Sequence, residues 1–221
     1  MTKKSKDYLK FINYDFEQQD DVFKVNTDTA ILGMFLDDLH GKTVLDIGTG
    51  SGSQLLYAHY HNAGKLIGVD IQEKALALAK KNISKYTDNF ELIYSTIQDL
   101  NLDPVDVIIC NPPFFEVGNM RTSDTWNKAM FEETMPLEDM FKAFRKFLKD
   151  NGEIYTLYPA ERFPELYEMI KKYKLKIMRM QFVHDVKRPF AQRVVLKLKI
   201  GKMSKLKVSK PIIVDRGMFE I

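Results

Sequence analysis

Apolar residues along this chain follow two alternating patterns. Short apolar runs end at turn residues, and between them lie stretches in which apolar positions recur every three or four residues. Thr43-Val44-Leu45-Asp46-Ile47 reads as a buried strand running into glycines. Lys65–Asp70, Phe90–Tyr94, Val105–Cys110 and residues 153–158 read as four more strands. Ala75, Leu78, Ala79, Ile83 and Tyr86 share one face of a helix. Leu137, Met140, Phe141, Phe144 and Leu148 stripe a second helix, expected to stop at a C-cap formed by Asn151-Gly152. Phe163, Leu166, Tyr167, Ile170 and Tyr173 stripe a third. Residues 175–183 and 193–200 are two β-rich runs with no helix-length segment between them, so an antiparallel pair is expected there. Upstream, Val22-Phe23-Lys24-Val25 reads as a strand, and Asp28 as the N-cap of a helix through Thr29-Ala30-Ile31-Leu32.

Parallel strands need crossover connections, so the alternation predicts an α/β sheet of five parallel strands closed by a terminal hairpin, with helices on both faces. The 221 residues suffice for one large domain, and no repeat or linker divides them. No apolar run is long enough to span a bilayer, and residues 1–10 are charged rather than signal-like. A cytoplasmic location and no membrane partner are the resulting expectations. The single cysteine, Cys110, excludes an internal disulfide framework and a cysteine-based zinc cluster. His59 and His61 are two apart, on opposite sides of a helix, and His40 and His184 are isolated, so no metal is expected.

The net charge of +3 conceals an asymmetry. Residues 1–150 carry 17 Lys and Arg against 23 Asp and Glu, a balance of −6; residues 151–221 carry 16 against 7, a balance of +9. A basic C-terminal third on an acidic body suits a polyanion, with Lys171, Lys172, Lys174, Lys187, Arg188 and Arg193 as candidate phosphate contacts. Solvated lysines protecting edge strands would give the same composition.

Two short segments carry chemistry. Asp46-Ile47-Gly48-Thr49-Gly50-Ser51-Gly52-Ser53 ends a strand and opens a helix, and glycines there allow a tight turn and close backbone approach to a ligand. Asp70 ends the next strand, where a carboxylate can accept hydrogen bonds from both ribose hydroxyls. The spacing is G-x-G-x-G preceded by an acid, not the NAD pattern, although a different nucleotide remains open at this point. The fourth strand ends in Asn111-Pro112-Pro113-Phe114. The prolines fix the backbone and remove two N–H donors. The Asn111 side-chain carbonyl and the Pro112 main-chain carbonyl are then two uncharged acceptors, suited to the two N–H groups of a planar exocyclic amine. Phe114 can stack on an extruded base.

With these segments in this order, residues 16–215 resemble the amino-methyltransferases that carry (Asp/Asn/Ser)-Pro-Pro-(Tyr/Phe/Trp) and modify adenine N6, cytosine N4 or protein glutamine. More narrowly, the chain resembles the tRNA adenine-N6 methyltransferases that act beside the anticodon of a valine tRNA. The segment from Phe23 to Leu32, the run Asn111-Pro112-Pro113-Phe114-Phe115 and the ending over 206–214 carry this resemblance. It implies a Rossmann-like class I methyltransferase fold with a seven-stranded, mostly parallel sheet and a terminal antiparallel hairpin. Residues 1–221 would form one domain, with 1–40 covering the cofactor and 41–221 the catalytic core. The implied cofactor is S-adenosyl-L-methionine, the implied substrate an RNA, and a monomer or weak dimer is expected. Asn111, Pro112, Pro113 and Phe114 would be catalytic. Asp28, Thr29, Asp46, Gly48, Gly50 and Gly52 would contact the cofactor, with Asp70, Ile71, Thr96, Ile97 and Asn111. Two positions depart from the group: Thr96 stands where an acidic residue usually holds the cofactor's adenine, with Asp99 as a substitute. Residues Ala129 to Glu133 lack a usual arginine, for which Arg121 and Lys128 are replacements. Protein glutamine methylation and a non-catalytic RNA-binding protein on the same fold remain alternatives. Phe114 in place of Tyr, and the short N-terminal segment, favour RNA.

Overall fold

The computed structural model describes residues 4–9, 11–112, 135–201 and 205–215. A hairpin of β1 (Lys4–Leu9) and β2 (Tyr14–Gln19) comes first. Helix α1 (Thr27–Met34) follows, then β3 (Thr43–Ile47), α2 (Ser53–Tyr60), β4 (Lys65–Asp70), α3 (Glu73–Ile83), β5 (Phe90–Tyr94) and β6 (Val105–Cys110). After residue 134 come α4 (Leu137–Phe147), β7 (Leu148–Pro159), α5 (Phe163–Lys172), β8 (Leu175–Asp185) and β9 (Ala191–Ile200). Two short strands, β10 (Lys207–Val208) and β11 (Ile212–Val214), end the described chain.

The seven strands expected from the pattern lie in the order β8-β9-β7-β6-β3-β4-β5, with β9 antiparallel to both neighbours and the rest parallel. β10 and β11 add to the outer edge of β8, both parallel to it, bringing the sheet to nine strands. Each face is covered, which is why β3, β4 and β6 read as continuous apolar runs rather than alternating ones. On one face α1, α2, α3 and the hairpin residues Leu9, Ile12 and Phe16 form one core; on the other, α4 and α5 supply Phe141, Phe144, Phe147, Leu166 and Ile170 to a second.

Three expectations are corrected. Val22-Phe23-Lys24-Val25 is not a strand. It pairs with no strand among the described residues; instead Val22 packs on Ala75 and Leu78, and the Val25 amide donates to Gln18 Oε1 at 2.9 Å. The N-cap of α1 is Asn26, not Asp28. The Asn26 side chain accepts from the Thr29 amide, and the Thr29 hydroxyl accepts from the Asn26 amide, a reciprocal box that Asp28 could not form. The helix of α4 ends at Phe147, four residues before Asn151-Gly152, because Leu148 is already extended and pairs with Val105. Gly152 serves close packing instead: a Cβ there would press on Leu148 and on the Asp106 carbonyl.

The chain after α1 is pinned to the sheet by a charged network. Asp37 accepts from Arg179 at 2.8 Å and Lys197 at 2.7 Å, and Glu153 accepts from Lys197 at 2.7 Å and Lys42 at 3.0 Å. Burial opposes ionisation of both acids, yet these cations hold each carboxyl below its ordinary range.

The seat of α1 depends on Gly33, whose backbone lies directly against the fully buried ring of Tyr57 on α2. A methyl group would overlap that ring. Gly33→Ala is expected to cost about 1–3 kcal/mol, or roughly 2–12 °C in Tm, despite alanine's better helix propensity. Thermal unfolding measures this, and an unchanged or raised Tm would contradict the packing described.

Candidate active site

Parallel strands end together, so β3, β4, β5 and β6 deliver their last residues to one edge of the sheet. A cleft there, open to solvent, holds about 660 Å³ of unfilled space counting its open side. Its floor is the turn after β3. Gly48 and Gly50 have φ of 73° and 52°, a region that costs other residues strain, and no side chain occupies the space above Gly50. The Gly48 and Thr49 amides donate to the Val69 carbonyl, which locks the turn onto β4. Gly52 plays another part: its absent Cβ lets α2 begin against Ala79 and Ile83 of α3.

Asp70 closes the turn from the next strand. Its carboxylate accepts from the Gly50 amide at 2.8 Å and the Gln72 amide at 3.0 Å. Burial raises its pKa, and these backbone donors, with that of Ile71, oppose the rise. Asp46 is more exposed to the cost of burial. Its Oδ2 and the Thr49 hydroxyl have no hydrogen-bond partner among the described residues. Burial pushes its pKa up to about 7; Asp70 adds to the shift, and the Thr49 hydroxyl, near but poorly aligned, opposes it. Two buried carboxylates facing one cleft make it a site for a cation that also carries hydroxyl donors.

The opposite wall is the segment that failed to form a strand. Val22, Phe23, Lys24, Val25 and Thr29 all line the cleft. Thr29 is held there by the capping box and by Gln54, whose amide donates to the Thr29 carbonyl at 2.9 Å. Asn111, the first residue past β6, faces the same cleft, with Met135 beside it. A smaller adjoining hollow, between Ile71, Ser95, Ile97 and Met135, offers mostly apolar walls next to Asp70, as a flat ring requires.

The residues expected from the sequence therefore divide. Asp46, Gly48, Gly50, Asp70, Thr29 and Asn111 line the cleft, and Ile71 and Ile97 the hollow. Asp28 points elsewhere: its carboxylate accepts from the Arg193 guanidinium at 2.9 Å. Thr96 is turned toward Asp99, donating its hydroxyl to that carboxylate at 2.7 Å and accepting from the Asp99 amide. Pro112 is half-buried beside Asn111. Pro113, Phe114, Phe115, Arg121, Lys128 and 129–133 lie outside the described residues. Sequence reasoning missed Ser95, Gln72, Gln54, Ala75 and Met135. Ser95 had a signal, because it follows the last residue of β5; the others had none. Cys110 is buried against Met140 with its thiol pKa pushed up, a packing residue rather than a nucleophile. Among the described residues no group of three His, Cys, Asp or Glu side chains is placed to hold a metal.

Comparison with known proteins agrees with this geometry. Residues 38–206 match the family described as Methyltransferase domain. The chain belongs to that family. It is 30% identical over 165 residues to the tRNA1(Val) (adenine(37)-N6)-methyltransferase of Dyadobacter fermentans, covering 72% of this chain and 69% of that one. The enzyme of the same name from Flavobacterium psychrophilum is 28% identical, covering 78% of each. Among solved structures, the fold is similar to the 16S rRNA N2 G1207 methyltransferase of T. Thermophilus in complex with AdoMet and guanosine. The TM-score is 0.65 at 17% identity, over 91% of this chain and 51% of that one. The ribosomal protein L11 methylase of Lactobacillus delbrueckii subsp. bulgaricus gives a TM-score of 0.60 at 18% identity, over 82% of each chain. Likeness at these identities is one of fold. No helix of the described methyltransferase is long and apolar enough to cross a membrane.

The raised pKa of Asp46 has a stability consequence. Its folded value lies above its unfolded one, so its contribution is fully present below about pH 4 and lost as pH rises toward about 7. Relative to Asp46→Asn, the wild type should lose up to about 1.4 kcal/mol for each pH unit across that window and change little above it. Paired thermal melts between pH 5 and pH 8 test this; a constant difference would rule out the shift.

Proposed function

We propose that this methyltransferase transfers a methyl group to the exocyclic N6 of an adenine in tRNA, at the anticodon-adjacent position that its relatives' name specifies as 37. One observation carries the reading: Asn111, which opens the Asn-Pro-Pro-Phe segment, faces the cleft that holds Asp46, Asp70 and the glycine turn, in a chain of this family. Protein glutamine methylation and a non-catalytic RNA-binding role are not favoured.

The residues fit S-adenosyl-L-methionine, which supplies a methyl group on a positively charged sulfur. Asp70 offers acceptors for two ribose hydroxyls. The hollow at Ile71, Ser95 and Ile97 suits an adenine ring, with the Thr96-Asp99 pair next to it in place of the family's usual acid. Asp46, short of partners on Oδ2, suits the ammonium of the methionine part, and Thr29 with the Val22 to Val25 segment covers it.

The acceptor amine is neutral and needs no strong base. The Asn111 Oδ1 and the Pro112 carbonyl accept its two N–H groups. Both hydrogen bonds move electron density onto N6 and direct its lone pair out of the base plane. With bound S-adenosyl-L-methionine supplying the methyl group, N6 would become positive on accepting it, and both acceptors would then hold it more tightly than before. This differential binding is the source of rate, together with positioning of two reactants. A proton then leaves N6 to solvent. Pro113 and Phe114 lie outside the described residues; by residue type, Phe114 would stack on the base.

Asn111→Ala is expected to lower turnover on tRNA at least about 100-fold while cofactor affinity by calorimetry changes by only a few-fold. Mass spectrometry of nucleosides from tRNA of a strain lacking the gene should show N6-methyladenosine lost from one tRNA. Undiminished transfer in the variant, or an unchanged nucleoside profile, would overturn the reading.

A further inference from the structure

The cations of the basic C-terminal third differ sharply in what surrounds them. Arg162 and Lys171 pair with neighbouring glutamates on the α5 face, and Lys172 with Glu138. Arg179 and Lys197 are bound to Asp37, and Arg193, only 11% exposed in its side chain, is bound to Asp28. Lys187 and Arg188, like Lys174, Lys205, Lys207 and Lys210, are exposed and make no ion pair among the described residues.

Lys187 and Arg188 sit on a turn built to stay rigid. Asp185, buried at the end of β8, accepts from the Lys187 amide through Oδ1 at 2.8 Å and from the Arg188 amide through its carbonyl at 3.0 Å. The Val186 amide donates to the Val214 carbonyl of β11, and the Gln192 side chain donates to the Phe190 carbonyl. With the backbone satisfied, the side chains point out. Phe190 is 77% exposed and Val186 57%. A rigid turn that displays an aromatic ring beside two unpaired cations has the composition of a stacking platform for single-stranded nucleic acid.

Topology places this turn at the reacting end of the sheet. Cys110 pairs with Thr156, Thr156 with Leu196 and Leu196 with Met180, one row across four strands. β8 runs parallel to β6, so Asp185 is five residues further toward the edge where Asn111 emerges. The turn therefore overhangs that edge by about 16 Å and lies about 14 Å to the side of β6. Lys171, Lys172 and Lys174 lie where α5 returns to the start of β8, at the opposite edge.

We propose that the turn 186–190 grips the single-stranded RNA flanking the target base, with Lys187 and Arg188 on phosphates and Phe190 stacked on a neighbouring base. The proposal rests on the reading of this chain as an RNA methyltransferase, but is tested by binding rather than by transfer.

Binding of unmodified bulk tRNA to the full chain is measured by fluorescence anisotropy across a salt series. Lys187→Ala with Arg188→Ala should weaken binding at least tenfold near 0.1 M salt and make the salt slope shallower by about 1.4, as for two lost single-strand phosphate contacts. Phe190→Ala should weaken binding roughly five- to a hundredfold without changing the slope. Lys171→Ala with Lys172→Ala at the far edge should bind like wild type, and all variants should keep cofactor affinity, which reports intact folding. Equal tRNA binding by wild type and the turn variants overturns the proposal, as does failure of the wild type to bind tRNA. Weakened binding by the turn variants in a chain that transfers no methyl group to tRNA upholds the turn's role and refutes the proposed activity instead.

Discussion

Two carboxylates buried side by side at the ends of neighbouring strands are the constraint around which the rest of the site is arranged. An ionised acid out of water must find donors or a cation. Asp70 finds donors in the backbone of the glycine turn, and that turn can present them only because Gly48 and Gly50 adopt positive φ. Asp46 finds too few, so it stands partly neutral near pH 7. The surroundings hold this uncomfortable pair in place. Asn82, fully buried in α3, donates from one amide to the Ser51 and Glu17 carbonyls and accepts from the Glu17 amide, binding the glycine turn to β2. Stability given up at Asp46 is recovered around it, while its charge stays available to a cationic ligand.

Net charge does not say which of a chain's cations are free to meet a polyanion. The surplus of +9 after residue 150 suggests a broad basic face. Yet Lys172, Arg179, Arg193 and Lys197 are occupied in joining elements to one another. What distinguishes a binding surface is whether a charge is already neutralised and which edge of the sheet it occupies, and neither is visible in composition.

The central sheet was legible because its evidence is local. Each buried parallel strand is a short apolar run, and each intervening helix repeats its apolar face within a dozen residues. The cleft was legible for the same reason at Asp46, Gly48, Gly50, Asp70 and Asn111, since residues at strand ends must converge on one edge. What stayed hidden depends on distant partners. The Val22 to Val25 segment has strand composition but pairs with no strand among the described residues, and it lines the cleft instead. Asp28 suits a cap by type, yet its partner is 165 residues away in β9. Gly152 has the residue type of a helix terminator, but its position answers to the packing of Leu148. The hydroxyl of Thr96 was expected to face the cofactor and is instead captured by Asp99, three residues on. Local pattern gave the frame; side-chain pairing across the fold chose among the roles each residue type allows.

The ion pair between Asp28 and Arg193 joins the helix beside the cofactor cleft to the hairpin proposed to bind RNA. Asp28 lies in the first turn of the helix whose Thr29 lines the cofactor cleft, and Arg193 stands at the foot of the hairpin that rises beside it. This largely enclosed contact, like the Asp37 pairs with Arg179 and Lys197, ties the two elements together. Whatever coupling free energy this contact transmits must act in both directions: a small molecule that firms the helix alters the hairpin's affinity for its own partner by a certain factor, and that partner alters the small molecule's affinity by the same factor.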